Sequence, residues 1–420
     1  MDKLFDIFGG VSQTKLGGGD SFTDQLSCKY TVYILSLVVI LSTTRVFIDE
    51  PISCYCPTHF TDNQVEYTKK TCWVMNTQYI EAHEAPRNDP SRKDSAEKLV
   101  TYYQWIPLFL TLQAILFYTP RFIWKRLNKK SGIAVNNITD GSIDCLRKGD
   151  SEESQKTITF LAQYMERFLG WQKQKLDNNF KGKNKLCHLR STLRGNYLVV
   201  VYLAIKALYI ANVIGQIFLL NAFLGNDFHM YGIDVVSRLI RRLPWRISYR
   251  FPRITRCNLP IRVVDTVHTH KIQCVLPMNL FYEIIFIFIW FWFVFVAAAT
   301  VGSFIFWLVN SIRMSVQESY IKQRLLVMEK ITKDQREEVK TFVGDYLKRD
   351  GCFVLRMAAK NSSDLIASEL ICELWDKYRA SCKMDERNTK NSRLSLSFEE
   401  KNSTLRRREE AAMAAIDPKY

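Results

Sequence analysis

LFYEIIFIFIWFWFVFVAAATVGSFIFWLV, Leu280 to Val309, carries one formal charge, Glu283, in 30 residues. A buried helix in a soluble domain is served by about 10–14 apolar residues, whereas crossing a bilayer takes roughly 20. The stretch reads as a membrane span, and three others read the same way. Residues 30–48 carry only Arg45, 105–124 only Arg121, and 197–220 only Lys206. Overall the chain is 47% hydrophobic and 24% charged, but the apolar residues are gathered in these four blocks and the charges lie between them.

The spans divide the chain into an N-terminal segment (1–29), a first loop (49–104), a middle loop (125–196), a second loop (221–279) and a C-terminal part, 310–385 followed by a polar tail at 386–420. The first 29 residues contain no apolar core that would act as a cleavable signal, so the span at 30–48 is expected to serve for insertion. With four spans, both termini lie on one side. Segments 1–29, 125–196 and 310–420 hold 3, 15 and 22 lysines and arginines, against 6 and 9 in loops 49–104 and 221–279. Positive residues are retained in the cytoplasm, which puts both termini there. The loops on the other side hold Cys54, Cys56, Cys72, Cys257 and Cys274, a disulfide framework suited to an oxidising compartment. One cysteine is left over, and four can pair in three ways.

The intramembrane charges divide by depth. Arg45, Arg121 and Glu283 lie near span ends and can snorkel, whereas Lys206 sits deeper and calls for a bundle interior or water. At the 104/105 boundary the chain reads YYQWIP: Tyr102, Tyr103, Gln104 and Trp105 form an aromatic interface anchor, and Pro107 either sits in a first helical turn or kinks the span. Pro120 reads as an ending signal. On the cytoplasmic side, Ile321, Leu325, Met328, Ile331 and Val339 recur near helical spacing. Leu365, Leu370, Leu374 and Trp375 repeat that pattern after a cap at Ser363 or Asp364. Together these helices imply an inner dome, ahead of a mobile tail.

Several functions find little support. The net charge of +16 lies mostly in cytoplasmic segments beside spans, which points to lipid headgroups rather than nucleic acid, for which no motif is present. His268 and His270 lack a clear third ligand, so no metal site is assigned, no cofactor is implied, and no convergent acid, base or nucleophile marks an enzyme. GGVSQTKLGGGD near the N-terminus lacks the spacing of a phosphate loop. The N-x-S/T matches at Asn137, Asn361 and Asn402 fall on the cytoplasmic side and should stay unmodified.

Taken together, YYQW at the edge of the second span, outer cysteines 18 and then 17 residues apart, FWF in the last span, and FTD, CWV, FPR and LRMAAKNSSDLIASELICELW elsewhere resemble the innexin family. The resemblance runs from about Asp20 to Tyr378. It departs from the family at Ile106, where valine is usual, and at the additional Cys56. It implies an all-α integral membrane subunit with four transmembrane helices, two disulfide-stapled extracellular loops with room for small β elements, and a helical cytoplasmic dome. The implied pairing is Cys54 with Cys274 and Cys72 with Cys257, leaving Cys56 a spare extracellular thiol. Implied partners are other innexin-like subunits, like or unlike, in an octameric hemichannel, and a docking hemichannel on the adjacent cell. The implied function is a plasma-membrane gap-junction channel for ions and small solutes; the alternatives are an undocked hemichannel and a non-conducting adhesion or scaffold protein. In related channels the segment before the first span folds inward. This makes Asp2, Lys3, Asp6, Asp20 and Asp24 candidates to line the pore, with Asp49 and Glu50 beyond the span.

Overall fold

The computed structural model describes residues 21–48, 50–75, 77–79, 99–130, 135–148, 151–179, 196–225, 228–242, 251–332, 334–384 and 387. The protein is a four-span membrane protein. Four helices, Phe22–Val46, Ile106–Asn128, Tyr197–Leu224 and Met278–Ile312, are long and apolar enough to cross a bilayer. The described residues fall into two compact units, one within 20–127 and 201–308, the other within 128–200 and 309–420.

The first span starts well before residue 30, where hydropathy alone places it. Ser21 has extended backbone geometry, and its N–H donates to Asp24 Oδ2 at 3.2 Å, one half of a capping box. After one α turn, Phe22–Gln25, the backbone widens into a π turn at Leu26–Tyr30 before settling into the α-helix Thr31–Ile48. A π turn displaces the regular hydrogen-bond ladder. Here Thr31 Oγ1 donates to the Leu26 carbonyl at 3.0 Å and accepts from Trp292 Nε1 at 2.9 Å. The polar residues that hide this helix from a hydropathy reading are buried in it: Asp24, Ser27 and Thr31.

The second helix runs without a break from Ile106 to Lys130, so Pro107 lies in its first turn, where a missing N–H costs little. The expectation that Pro120 ends the span is corrected, since the helix continues ten residues past it. Membrane helices tolerate an interior proline when their surroundings hold the backbone. Trp124, one turn beyond, is 2% exposed and meets the Tyr202 ring edge-on at 5.3 Å. The bundle core is aromatic: Phe117 packs on Phe293 at 5.1 Å, and Phe109 stacks on Phe223 at 4.0 Å.

The cysteine-bearing loops form a five-stranded antiparallel sheet. Its strands are β1 (Ser53–Tyr55), β2 (Thr77–Tyr79), β3 (Leu99–Val100), β4 (Ile254–Val263) and β5 (Thr266–Val275), in the order β1-β5-β4-β2-β3. β4 and β5 make a long hairpin closed at Val264 and Asp265. Val264 sits at φ 53°, a costly conformation for a β-branched residue, and is 86% exposed. Pro260 is tolerated inside β4 because β2 pairs only with Thr255 and Arg256, leaving Pro260 on an open edge. A helix at Asp62–Val74 lies between β1 and β2, and a short one, Tyr231–Ile240, follows the third span.

The second unit is helical. It contains Val135–Lys148, Ser151–Asn179, Met314–Val327, Arg336–Thr341, a π turn at Phe342–Leu347, Lys348–Asn361 and a helix over residues 364–384. Ile321, Leu325, Ile331 and Val339 are buried, as are Leu370, Leu374 and Trp375. Leu365 is not: it is 59% exposed, because it occupies the first turn, ahead of the buried face. Ser363 Oγ accepts the Leu365 N–H at 3.2 Å, which caps that helix. Around Phe342, Trp375 sits edge-on at 5.1 Å and Tyr378 at 5.2 Å. Burial pushes the Tyr346 phenol and the Cys352 thiol up to about 12 and the Cys372 thiol to about 11, so both sulfurs are poor nucleophiles at neutral pH. The tail beyond residue 387 lies outside the described residues.

Candidate functional site

Two constellations stand out, both in the unit that holds the sheet. In the sheet, Cys54 of β1 lies directly across from Cys274 of β5 and is bonded to it; Cys72, from the helix Asp62–Val74, is bonded to Cys257 of β4. Each bridge joins the first loop to the second, and the sulfurs of Cys54, Cys72 and Cys274 lie within 4.8 Å of one another. The two bridges therefore share one buried core with Ile52, Val100, Leu259 and Ile272. Cys56 lies just past β1, half-buried and outside both bridges. His268 contacts Thr266 Oγ1 at 3.2 Å within β5, and His270 of the same strand meets the Phe60 ring of the first loop at 5.5 Å.

The YYQW stretch supports this core from below. Tyr103 is 1% exposed; its ring lies 4.6 Å from that of Trp73, and its hydroxyl donates to the Trp73 carbonyl at 3.1 Å. Gln104 Nε2 donates to the same carbonyl. Tyr102 turns its ring edge to Phe251 at 5.7 Å. Burial pushes the Tyr102 phenol well above the ordinary tyrosine range, and that of Tyr103 up to about 12. The expectation of an aromatic interface anchor is thus corrected in part. Only Trp105, 57% exposed, is placed as a belt residue is, whereas Tyr102, Tyr103 and Gln104 brace the cystine core through Trp73 and Phe251. Trp73 and Phe251 were not singled out in the sequence, although CWV and FPR contain them.

The second constellation is charged. Lys206 is fully buried in the third span, as a deep lysine requires, and its ammonium stands 2.7 Å from Asp24 Oδ1. It donates to Ser303 Oγ at 2.7 Å and to Thr23 Oγ1 at 3.1 Å, while Tyr202 donates its hydroxyl to Asp24 Oδ2 at 3.1 Å. Asp24, 3% exposed, is therefore turned into the subunit. Glu50 is exposed but lies 2.6 Å from Lys69, which compensates its charge. Asp2, Lys3, Asp6, Asp20 and Asp49 lie outside the described residues. Glu283 is buried and held by Arg253 at 3.0 Å, so the expectation that it snorkels from the span end is corrected; Arg45 lies 5.4 Å from the Phe281 ring centroid.

A family model described as Innexin matches residues 20–378. Innexin unc-9 of Caenorhabditis elegans is 35% identical over 377 residues, covering 89% of this chain and 96% of that protein. Innexin-12 of the same nematode is 32% identical over 391 residues, covering 90% and 92%, and Innexin-19 of Caenorhabditis briggsae is 28% identical over 392 residues, covering 88% of each.

Proposed function

The chain belongs to the innexin family, whose members form gap-junction channel subunits, and from that premise we propose that it carries ions and small solutes between adjacent cells. Copies assemble in the plasma membrane, alike or with other innexin-like subunits, into an octameric ring around an aqueous pore. Two such rings dock end to end across the intercellular gap. The termini face the cytoplasm, and the two cysteine-bearing loops face the gap. Transport involves no chemical change, so the subunit is not an enzyme.

The observation that carries this reading is the doubly bridged sheet. Two loops separated by two spans are fastened into one platform whose hairpin tip exposes Val264 and Val267. A rigid outward platform with apolar contact residues suits pairing with an identical platform, because little conformational freedom is lost on association. The test is paired-cell electrical recording with this subunit alone. Coupling is expected; dye uptake by single cells without coupling would favour an undocked hemichannel, and adhesion without conductance would leave a scaffold.

The N-terminal segment is proposed to border the pore. Met1–Lys29 carries four acids and three bases, repeated around a ring. With Asp24 and Glu50 engaged by lysines, the proposed acidic character rests on the charges of Asp2, Asp6, Asp20 and Asp49. Rings of acidic side chains favour cations, but in a wide pore screening over a Debye length of about 8 Å keeps the preference weak. Deleting residues 2–19 is expected to change unitary conductance or voltage response while surface assembly persists. Unaltered channels would place the segment outside the permeation path.

A further inference from the structure

We infer that Asp24 and Lys206 form a clasp that fixes the inner end of the first span and thereby sets the shape of the adjoining conduction path. The second half of this rests on the proposed channel function. An isolated charge inside a spanning bundle is expensive, and here both signs are present and face each other at 2.7 Å. Lys206 Nζ reaches Asp24, Ser303 and Thr23; Asp24 reaches Lys206, Tyr202 and the Ser21 N–H. Tyr202 is in turn flanked by Trp124 at 5.3 Å and Trp307 at 5.1 Å. All four spans therefore meet at this point: the first through Asp24, the second through Trp124, the third through Tyr202 and Lys206, and the fourth through Ser303 and Trp307.

The position of Asp24 gives the pair its consequence. The same carboxylate that holds Lys206 closes the capping box at Ser21, where the chain passes into the first span, and the π turn begins two residues later. A π turn is a local departure that surroundings must hold in place. The clasp on one side and the bond from Trp292 to Thr31 on the other bracket it. Removing the clasp charges together is thus expected to free the turn without stranding a charge.

The buried Cys28, 1% exposed and inside that turn, reports on it directly. The full-length channel in cell membranes is treated with N-ethylmaleimide, and labelling at Cys28 is read by mass spectrometry, with unitary conductance recorded in parallel. Asp24→Asn and Lys206→Met singly each leave a buried charge uncompensated, and surface delivery is expected to fall about tenfold or more; the double variant leaves none and is expected to stay within about twofold of the parent. In that double variant Cys28 labelling should rise several-fold and unitary conductance should change. Unchanged labelling would overturn the clasp, as would failure of the double variant to reach the surface, which would make the pair a folding requirement alone. Increased labelling with unchanged conductance would overturn its link to permeation. Increased labelling in a protein whose parent never conducts would leave the clasp standing and remove the channel function instead.

Discussion

Replacing Cys72 with serine is expected to abolish electrical coupling between paired cells, whereas replacing Cys56 is expected to leave most of it. The size of the first effect follows from how the bridges are nested. Cys54–Cys274 spans 220 residues and encloses Cys72–Cys257, which spans 185. With the outer bridge closed, the inner one no longer closes its full sequence separation. It closes two arms, of 18 and 17 residues, and a loop of about 35 residues is worth about 4 kcal/mol of chain entropy. That is comparable with much of the stability of a small domain, and the sheet has few other long-range ties: β1 and β2 have three residues each and β3 has two. Serine also leaves the buried Cys257 thiol against a hydroxyl in an apolar core. Cys56 lies outside both bridges, so its loss removes no constraint. Junctional conductance of the two variants, normalised to surface protein, is the measurement. Equal loss from both would reject the spare role of Cys56.

Gly232→Val is expected to lower the melting temperature of the purified channel sharply and to reduce its yield at the surface. A Cβ at this position would stand 2.0 Å from Trp290 Cε3, with two more ring atoms at 2.3 and 2.6 Å. Trp290 cannot easily yield, being 7% exposed within the bundle core and tied by its Nε1 to the His229 carbonyl at 3.1 Å. Overpacking of this kind costs about 1–3 kcal/mol, sometimes more. Gly232→Ala makes the sign of the effect decisive. In a helix with open space, alanine is about 0.5–1 kcal/mol better than glycine; here it should be worse. A melting temperature that rises in the alanine variant would show that Trp290 moves aside.

The four spans were legible because a bilayer imposes one demand, some twenty apolar residues, that composition answers directly. The true start of the first span was not. Asp24, Ser27 and Lys29 lower the local hydropathy, and the burial of Asp24 is made possible by a partner far along the chain, Lys206. The depth of Lys206 announced that something must receive its charge, though not which acid. The five cysteines on one side of the membrane announced a framework, but the choice among three pairings came from family resemblance and not from spacing. YYQW shows the other kind of failure. Tyrosine at a membrane boundary fits both lipid headgroups and a covered core, and only the contacts with Trp73 and Phe251 decide between them. Pro120 misled for a related reason, since packing of Trp124 against Tyr202 overrides a local signal.

The nesting of the bridges also bears on how the protein is made. In the orientation proposed, the first loop reaches the oxidising lumen while Cys257 and Cys274 are still unsynthesised. At about 5–20 residues per second, the 185 residues between Cys72 and Cys257 take roughly ten to forty seconds to appear. During that interval Cys54, Cys56 and Cys72 have only one another, and every bridge they can form is wrong. Without Cys56 a single mispairing would be available; with it there are three. Thiol exchange takes seconds to hours depending on its catalyst, so the interval is long enough for errors to form and too short for them to resolve unaided. In that orientation, biogenesis of this subunit is expected to call on a disulfide isomerase in the secretory pathway, and the extra cysteine to raise that demand above what the four bridging cysteines alone would impose.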